Sequence, residues 1–187
     1  TSPFGAEFDS MADLVSFGVA PAIVMMYAVM QIASIEKYSS EFWVLSISVS
    51  AFVLAGALRL ARYNITNEKP IKGWFSGLPI TGAGAGLTAT AIILIVRYQD
   101  HFNSDQLTLL VPGFMFFLSL CMVSTFKFPK MTKRDGIYIN SFQALNFIVS
   151  CYCAVTKSYP EFLFFMGIFI LITGTVAGFF VKTTQTE

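Results

Sequence analysis

Between residues 14 and 181 the chain is cut by short polar breaks into six runs of apolar and small residues, near 14–33, 42–62, 78–96, 107–126, 137–156 and 161–181. Each run is close to the roughly 20 residues a helix needs to cross a hydrocarbon layer about 30 Å thick. In such a layer backbone amides must be satisfied within the spanning structure, and apolar runs of this length do so as helices. The fold expected is all-α: a polytopic membrane helix bundle with six transmembrane helices, forming a single domain over residues 1–187. The chain is 55% apolar and 12% charged, whereas a soluble domain has roughly 25% charged residues. Its apolar surplus therefore has to face another apolar phase.

The breaks carry the expected punctuation, from Glu36–Glu41 through Asn64–Ser76, Arg97–Gln106 and Lys127–Gly136 to the tight Lys157–Glu161. Alternating them across a membrane puts Arg59, Arg62, Lys69, Lys72, Lys127, Lys130, Lys133, Arg134 and Lys182 on one side and Lys37, Arg97 and Lys157 on the other. By the positive-inside rule the richer side is cytoplasmic, and the segment before the first run lies there too. Net charge is only +1, so no field argues for a nucleic-acid partner. The dense basic loop from Lys127 to Arg134 reads as topology and attraction to anionic membrane lipids.

Several residues have plain structural readings. Cys121, Cys151 and Cys153 lie inside apolar runs without metal-site spacing, and His101 sits in a polar loop as a surface residue. Pro21, Pro79 and Pro112 kink or initiate helices. Gly82 and Gly86, like Gly174 and Gly178, form G-x-x-x-G steps that predict close helix packing. The opening Thr1-Ser2-Pro3-Phe4-Gly5 has no initiator Met, basic leader or cleavage site, and suggests a fragment or a mature product.

The segment before the first run is acidic. If it is helical, Gly5, Asp9 and Asp13 recur every fourth residue and share one face. Like charges at this spacing repel by a few tenths of a kcal/mol, and a carboxylate near a membrane interior costs roughly 2.5–3.5 kcal/mol. Hard divalent cations would compensate, although an acidic first turn also suits the helix dipole. Arg59 and Arg62, three apart at the end of the second run, present guanidinium forks suited to a carboxylate or phosphate. Their company, Asn64, Lys72 and the Gly77-Leu78-Pro79 turn, favours an anion site over simple snorkelling at a helix end.

The run Gly5-x-x-x-Asp9-x-x-x-Asp13 resembles the second half of the signature of the CDP-alcohol phosphatidyltransferases, D-x-x-D-G-x-x-A-R, a short gap, then G-x-x-x-D-x-x-x-D. The first half is absent, since Asp135-Gly136 is followed by Ile137-Tyr138-Ile139 and lies far downstream. Phe4 to Pro21, then Arg59-Leu60-Ala61-Arg62-Tyr63-Asn64, then Phe75-Ser76-Gly77-Leu78-Pro79-Ile80 resemble, in order, the phosphatidylserine synthase branch. The later runs resemble it only in being apolar and similarly arranged.

That resemblance implies eight spans with the signature bridging the second and third, so that two upstream spans and the first half-signature are expected to precede this chain. It implies transfer of a phosphatidyl group from CDP-diacylglycerol to L-serine, with release of CMP and with two Mg²⁺ or Mn²⁺ ions. Asp9 and Asp13 would be metal ligands, Asp13 also the general base, and Gly5 the close approach for the nucleotide. Arg59, Arg62, Asn64 and Lys72 would receive the serine carboxylate or a phosphate. The enzyme is expected in the cell membrane as a multi-pass homodimer with its site facing the cytoplasm, and this chain alone is expected to be inactive. Two alternatives stay open: another acceptor, such as glycerol phosphate or inositol phosphate, and a small transporter whose intramembrane acids form an ion path.

Overall fold

Ser2 starts the first helix by accepting the amide of Gly5 on its hydroxyl at 3.1 Å, with Pro3 at the first helical position, where its missing N–H costs nothing. The computed structural model describes residues 2–65, 74–129, 148–149, 152–153, 156 and 159–183. Helix α1, Pro3–Asp13, continues without a break through a π-helical turn, Leu14–Val19, into α2, Ala20–Ile32. The acidic segment and the first apolar run are thus one long helix. Then come α3, Ser40–Ile65; a short strand β1, Trp74–Ser76; a second π-helical stretch, Gly82–Thr88, leading into α4, Ala89–Arg97; α5, Ser104–Val123; strand β2, Lys127–Pro129; and α6, Pro160–Thr183.

Three helical stretches, Glu7–Ile32, Ser40–Ile65 and Ser104–Val123, are long and apolar enough to cross a membrane, and Gly82–Arg97 and Pro160–Thr173 are shorter apolar helices. The predicted fifth run, 137–156, falls largely outside the described residues. An addition to the all-helical expectation is the antiparallel pairing of β1 with β2, with Phe75 opposite Phe128. It joins the break after α3 to the break after α5.

The core lies between α3 and α5, where Leu45, Phe52 and Ala55 are buried with Leu107, Met115, Leu118 and Met122. Outward faces are apolar instead of polar: Ile47, Leu54, Leu58, Leu109 and Phe165 are all more than half exposed. This inversion suits lipid in place of water. The buried hydroxyls are satisfied locally, Ser48 donating to the Leu45 carbonyl, Thr88 to Ala83, Thr90 to Gly86 and Ser119 to Met115. The described breaks alternate between two ends, one holding the start of α1 with the ends of α3 and α5, the other the end of α4 with the start of α6.

The expected packing at Gly82 and Gly86 is corrected by the structure. A Cβ on Gly86 would meet nothing within 4 Å and one on Gly82 only Leu78, whereas one on Gly84, between them, would lie 1.9 Å from the Phe17 carbonyl oxygen. Within the π-helical stretch the G-x-x-x-G pair faces away from the crossing, and the middle glycine meets the neighbouring backbone. The surroundings of Gly174 and Gly178 lie outside the described residues. Gly167 does pack closely, with Leu87 where its Cβ would be. Cys121 and Cys153 are buried free thiols and His101 is exposed, while Cys151 lies outside the described residues.

Candidate functional site

Helical rotation of about 100° per residue gives α1 three faces. Phe4, Phe8, Met11 and Val15 form an exposed apolar stripe. Gly5, Asp9 and Asp13 form a second face, with Asp9 exposed and Asp13 half-buried. Glu7 and Ser10 form the third, and it is docked: Asn64 at the end of α3 donates to Glu7 Oε2 at 3.2 Å and to Ser10 Oγ at 3.1 Å. The carboxylates therefore stand beside the contact with α3, not within it. Among the described residues neither Asp9 nor Asp13 is in an ion pair.

Directly below Asp13 the helix widens into the π turn, where the amide of Ala20 donates to Val15, five residues back. The local cause lies in the sequence. Pro21 has no N–H to give the carbonyl of Phe17, so the α-helical ladder is interrupted there. That carbonyl is the group Gly84 meets, so two π-helical segments cross backbone to backbone with no side chain between them. Gly18 and Gly56 extend the crossing, both facing Ile80. Single π turns of this kind concentrate at functional sites.

The predicted anion-binding residues separate into different roles. Arg62 donates from Nη1 to the Val123 carbonyl at 2.8 Å, capping the end of α5. Asn64 holds α1. Arg59 is the member left over: its Nε is buried without a hydrogen-bond partner, with the charge of Asp13 within electrostatic reach. A buried donor left unmade carries a cost of about 1–3 kcal/mol or more, and among the described residues this Nε is the buried side-chain donor that an anion would satisfy. Lys72 lies outside the described residues. Gly77 closes the floor with φ +77°, its amide donating to Phe126 and its Cβ position 2.5 Å from the Met122 carbonyl oxygen, which leaves no room for a side chain.

As metal ligands, Asp9 and Asp13 have suitable chemistry, oxygen donors on one face a turn apart. Among the described residues no group of three acidic, histidine or cysteine side chains gathers, so two carboxylates are the whole donor set visible here. Sequence reasoning passed over Glu7, Ser10 and Gly84. Glu7 and Ser10, three apart, carry a helical-face signal of their own, but what they face depends on where α3 ends.

A family model described as CDP-alcohol phosphatidyltransferase matches residues 1–181. Among curated proteins, the chain is 38% identical over 134 residues to a CDP-diacylglycerol--serine O-phosphatidyltransferase of Helicobacter pylori, covering 71% of this chain and 52% of that protein. A protein of the same description from Methanocaldococcus jannaschii is 34% identical over 175 residues, 94% of this chain and 70% of the relative. An archaetidylserine synthase of Methanothermobacter thermautotrophicus is 31% identical over 135 residues, 72% of this chain and 47% of the relative. The chain spans about half the length of the first of these relatives.

Proposed function

We propose, since the chain belongs to the CDP-alcohol phosphatidyltransferase family, that the protein transfers the phosphatidyl group of CDP-diacylglycerol to L-serine, giving phosphatidylserine and CMP. The observation that carries the reading is the pairing of an open acidic face, Asp9 and Asp13, with the unpartnered buried Nε of Arg59 beside Asp13. What supports serine as the acceptor is that the relatives from a bacterium and from archaea are each named for serine or a seryl product.

The family uses divalent metal ions. Asp9 and Asp13 would hold one here, with further ligands from outside the described residues, and we propose Mg²⁺ or Mn²⁺, two ions in all. When bound, such ions neutralise the pyrophosphate and stabilise the departing oxygen. The chain's own residues do the rest. An Asp13 carboxylate oxygen accepts the proton of the serine hydroxyl as its oxygen attacks the phosphorus that carries diacylglycerol. A new O–P bond forms, the bond to the CMP oxygen breaks, and CMP leaves with the electron pair. Arg59, with Lys72, receives the serine carboxylate or a phosphate, while Arg62 and Asn64, predicted as anion-binding residues too, hold α5 and α1 in place around it. Gly5, exposed one turn above Asp9, leaves room for the nucleotide.

The apolar helices make this a membrane protein. We further propose that it works in the cell membrane as a homodimer with this end toward the cytoplasm, an orientation supported by the asymmetry of nine basic residues against three. An ion-path transporter is disfavoured by the interior: among the described residues, the buried hydroxyls are returned to carbonyls of their own helices.

The test is CMP release from CDP-diacylglycerol by the full-length protein with Mg²⁺ or Mn²⁺, with serine, glycerol phosphate and inositol phosphate as rival acceptors. Serine alone should support turnover, and chelator should abolish it. Faster turnover with either phosphate acceptor would replace the acceptor, and turnover by residues 1–187 alone would overturn the need for further ligands.

A further inference from the structure

We infer that Glu7 and Asn64 form a positioning clamp that sets the rotation of α1, so that Asn64 acts through Asp9 and Asp13 and makes no contact with the substrate. The inference rests on the function proposed above and assigns Asn64 and Glu7 a part in it. The amide of Asn64 has two N–H donors, and both are in use on α1, one on Ser10 Oγ at 3.1 Å and one on Glu7 Oε2 at 3.2 Å. The Ser10 hydroxyl closes the ring on Asn64 Oδ1 at 3.4 Å. No donor is left on this side chain for an anion.

The place of the contact on α1 matters as much as its chemistry. Glu7 and Ser10 lie about 110° around the helix from the face of Asp9 and Asp13. A hydrogen-bonded contact there resists rotation of α1 while leaving the acidic face open. Asp9 lies at the level of the clamp, and Asp13 lies between it and the crossing of Phe17 with Gly84 below. Phe4, Phe8 and Met11 are strongly exposed, so among the described residues little other packing restrains these first turns. A turn of the helix by about 20° would swing a carboxylate by about 2 Å at side-chain radius, more than an octahedral Mg²⁺ or Mn²⁺ site allows.

The experiment uses the full-length protein, with Mn²⁺ alone as the binding probe and steady-state turnover beside it. Asn64→Asp sets a carboxylate against Glu7. It should weaken Mn²⁺ binding by about 10-fold, the usual worth of an outer support, and lower kcat while the KM for serine stays near wild type. In the double variant Glu7→Gln with Asn64→Asp the amide and the carboxylate have changed sides, the hydrogen bond re-forms, and both quantities should return to within about 3-fold of wild type. Glu7→Ala, at an exposed position that threatens no core, should weaken Mn²⁺ binding in the same direction. The inference is overturned if the double variant is no better than Asn64→Asp. It is equally overturned if only the KM for serine moves, which would make Asn64 a substrate contact, or if only thermal stability moves. A wild-type protein that shows this Mn²⁺ pattern but turns over no serine would refute the proposed acceptor and leave the clamp standing.

Discussion

At the end of the bundle where α4 stops and α6 begins, polar side chains close on one another. Tyr98 donates its hydroxyl to Glu161, and Arg97 approaches the same carboxylate at 4.0 Å. At the other end Asn64, Glu7, Ser10 and Arg62 are likewise engaged, yet beside them Asp9 and Asp13 remain outside any ion pair among the described residues, and Arg59 keeps a buried donor without a partner. Both ends carry charge near a membrane surface, and burial alone does not separate them. The difference lies in what is left over once the local partners are counted. A closed set of partners staples two helices, whereas carboxylates outside any ion pair and a buried Nε without a partner are the features on which the proposed ligand site rests.

The comparison breaks most sharply at the aspartates. In the full-length protein Asp13→Asn should lower turnover by about 10²–10⁴-fold, the range of a positioned base, with a smaller loss of CDP-diacylglycerol binding than in Asp9→Asn and a melting temperature close to wild type. Asp9→Asn should weaken metal-dependent binding of CDP-diacylglycerol together with the rate. Binding and turnover measured side by side decide this, and equal loss of binding in both variants would make Asp13 a ligand first.

A smaller effect is expected at the crossing that holds the open end in place. Gly84→Ala pushes a methyl group into the Phe17 carbonyl and should destabilise by about 1–3 kcal/mol, as overpacked sites do. Gly86→Ala enters open space and should be neutral or stabilising, by up to about 1 kcal/mol. Thermal unfolding in detergent compares the two, and equal losses would restore the G-x-x-x-G pair as the packing surface.

The smallest effect belongs to the closed end. Tyr98→Phe should leave turnover unchanged and lower the melting temperature slightly. Donation to Glu161 holds the Tyr98 hydroxyl above its ordinary pKa. A raised pKa in the folded state contributes stability in full below the unfolded value, near 10 for tyrosine, and loses it as pH rises through the folded one. The gap in melting temperature between wild type and Tyr98→Phe should therefore be constant from about pH 6 to 9 and close at higher pH. A gap that instead widened above pH 9 would mean the hydroxyl is not the donor.

What was legible without coordinates followed from one-dimensional physics. Apolar length specified helices and a membrane, four-residue spacing placed Gly5, Asp9 and Asp13 on one face, and the alternation of breaks brought Arg59 and Asp13 to the same end. These features need only the helical repeat and the cost of polar groups in lipid. The structure alone decided which neighbours each side chain acquired. Arg59, Arg62 and Asn64 read alike in the sequence, as polar groups near the end of an apolar run. They part company because each residue on a helix is rotated about 100° from the one before: Arg62 meets α5 and Asn64 meets α1, while Arg59 keeps a buried Nε without a partner. The glycine pair misled for a related reason: a π-helical stretch changes the residues per turn, so a spacing rule built on 3.6 residues chose Gly82 and Gly86 where the crossing uses Gly84. Local pattern sets which element forms, and contacts far apart in the chain set what each face of it meets.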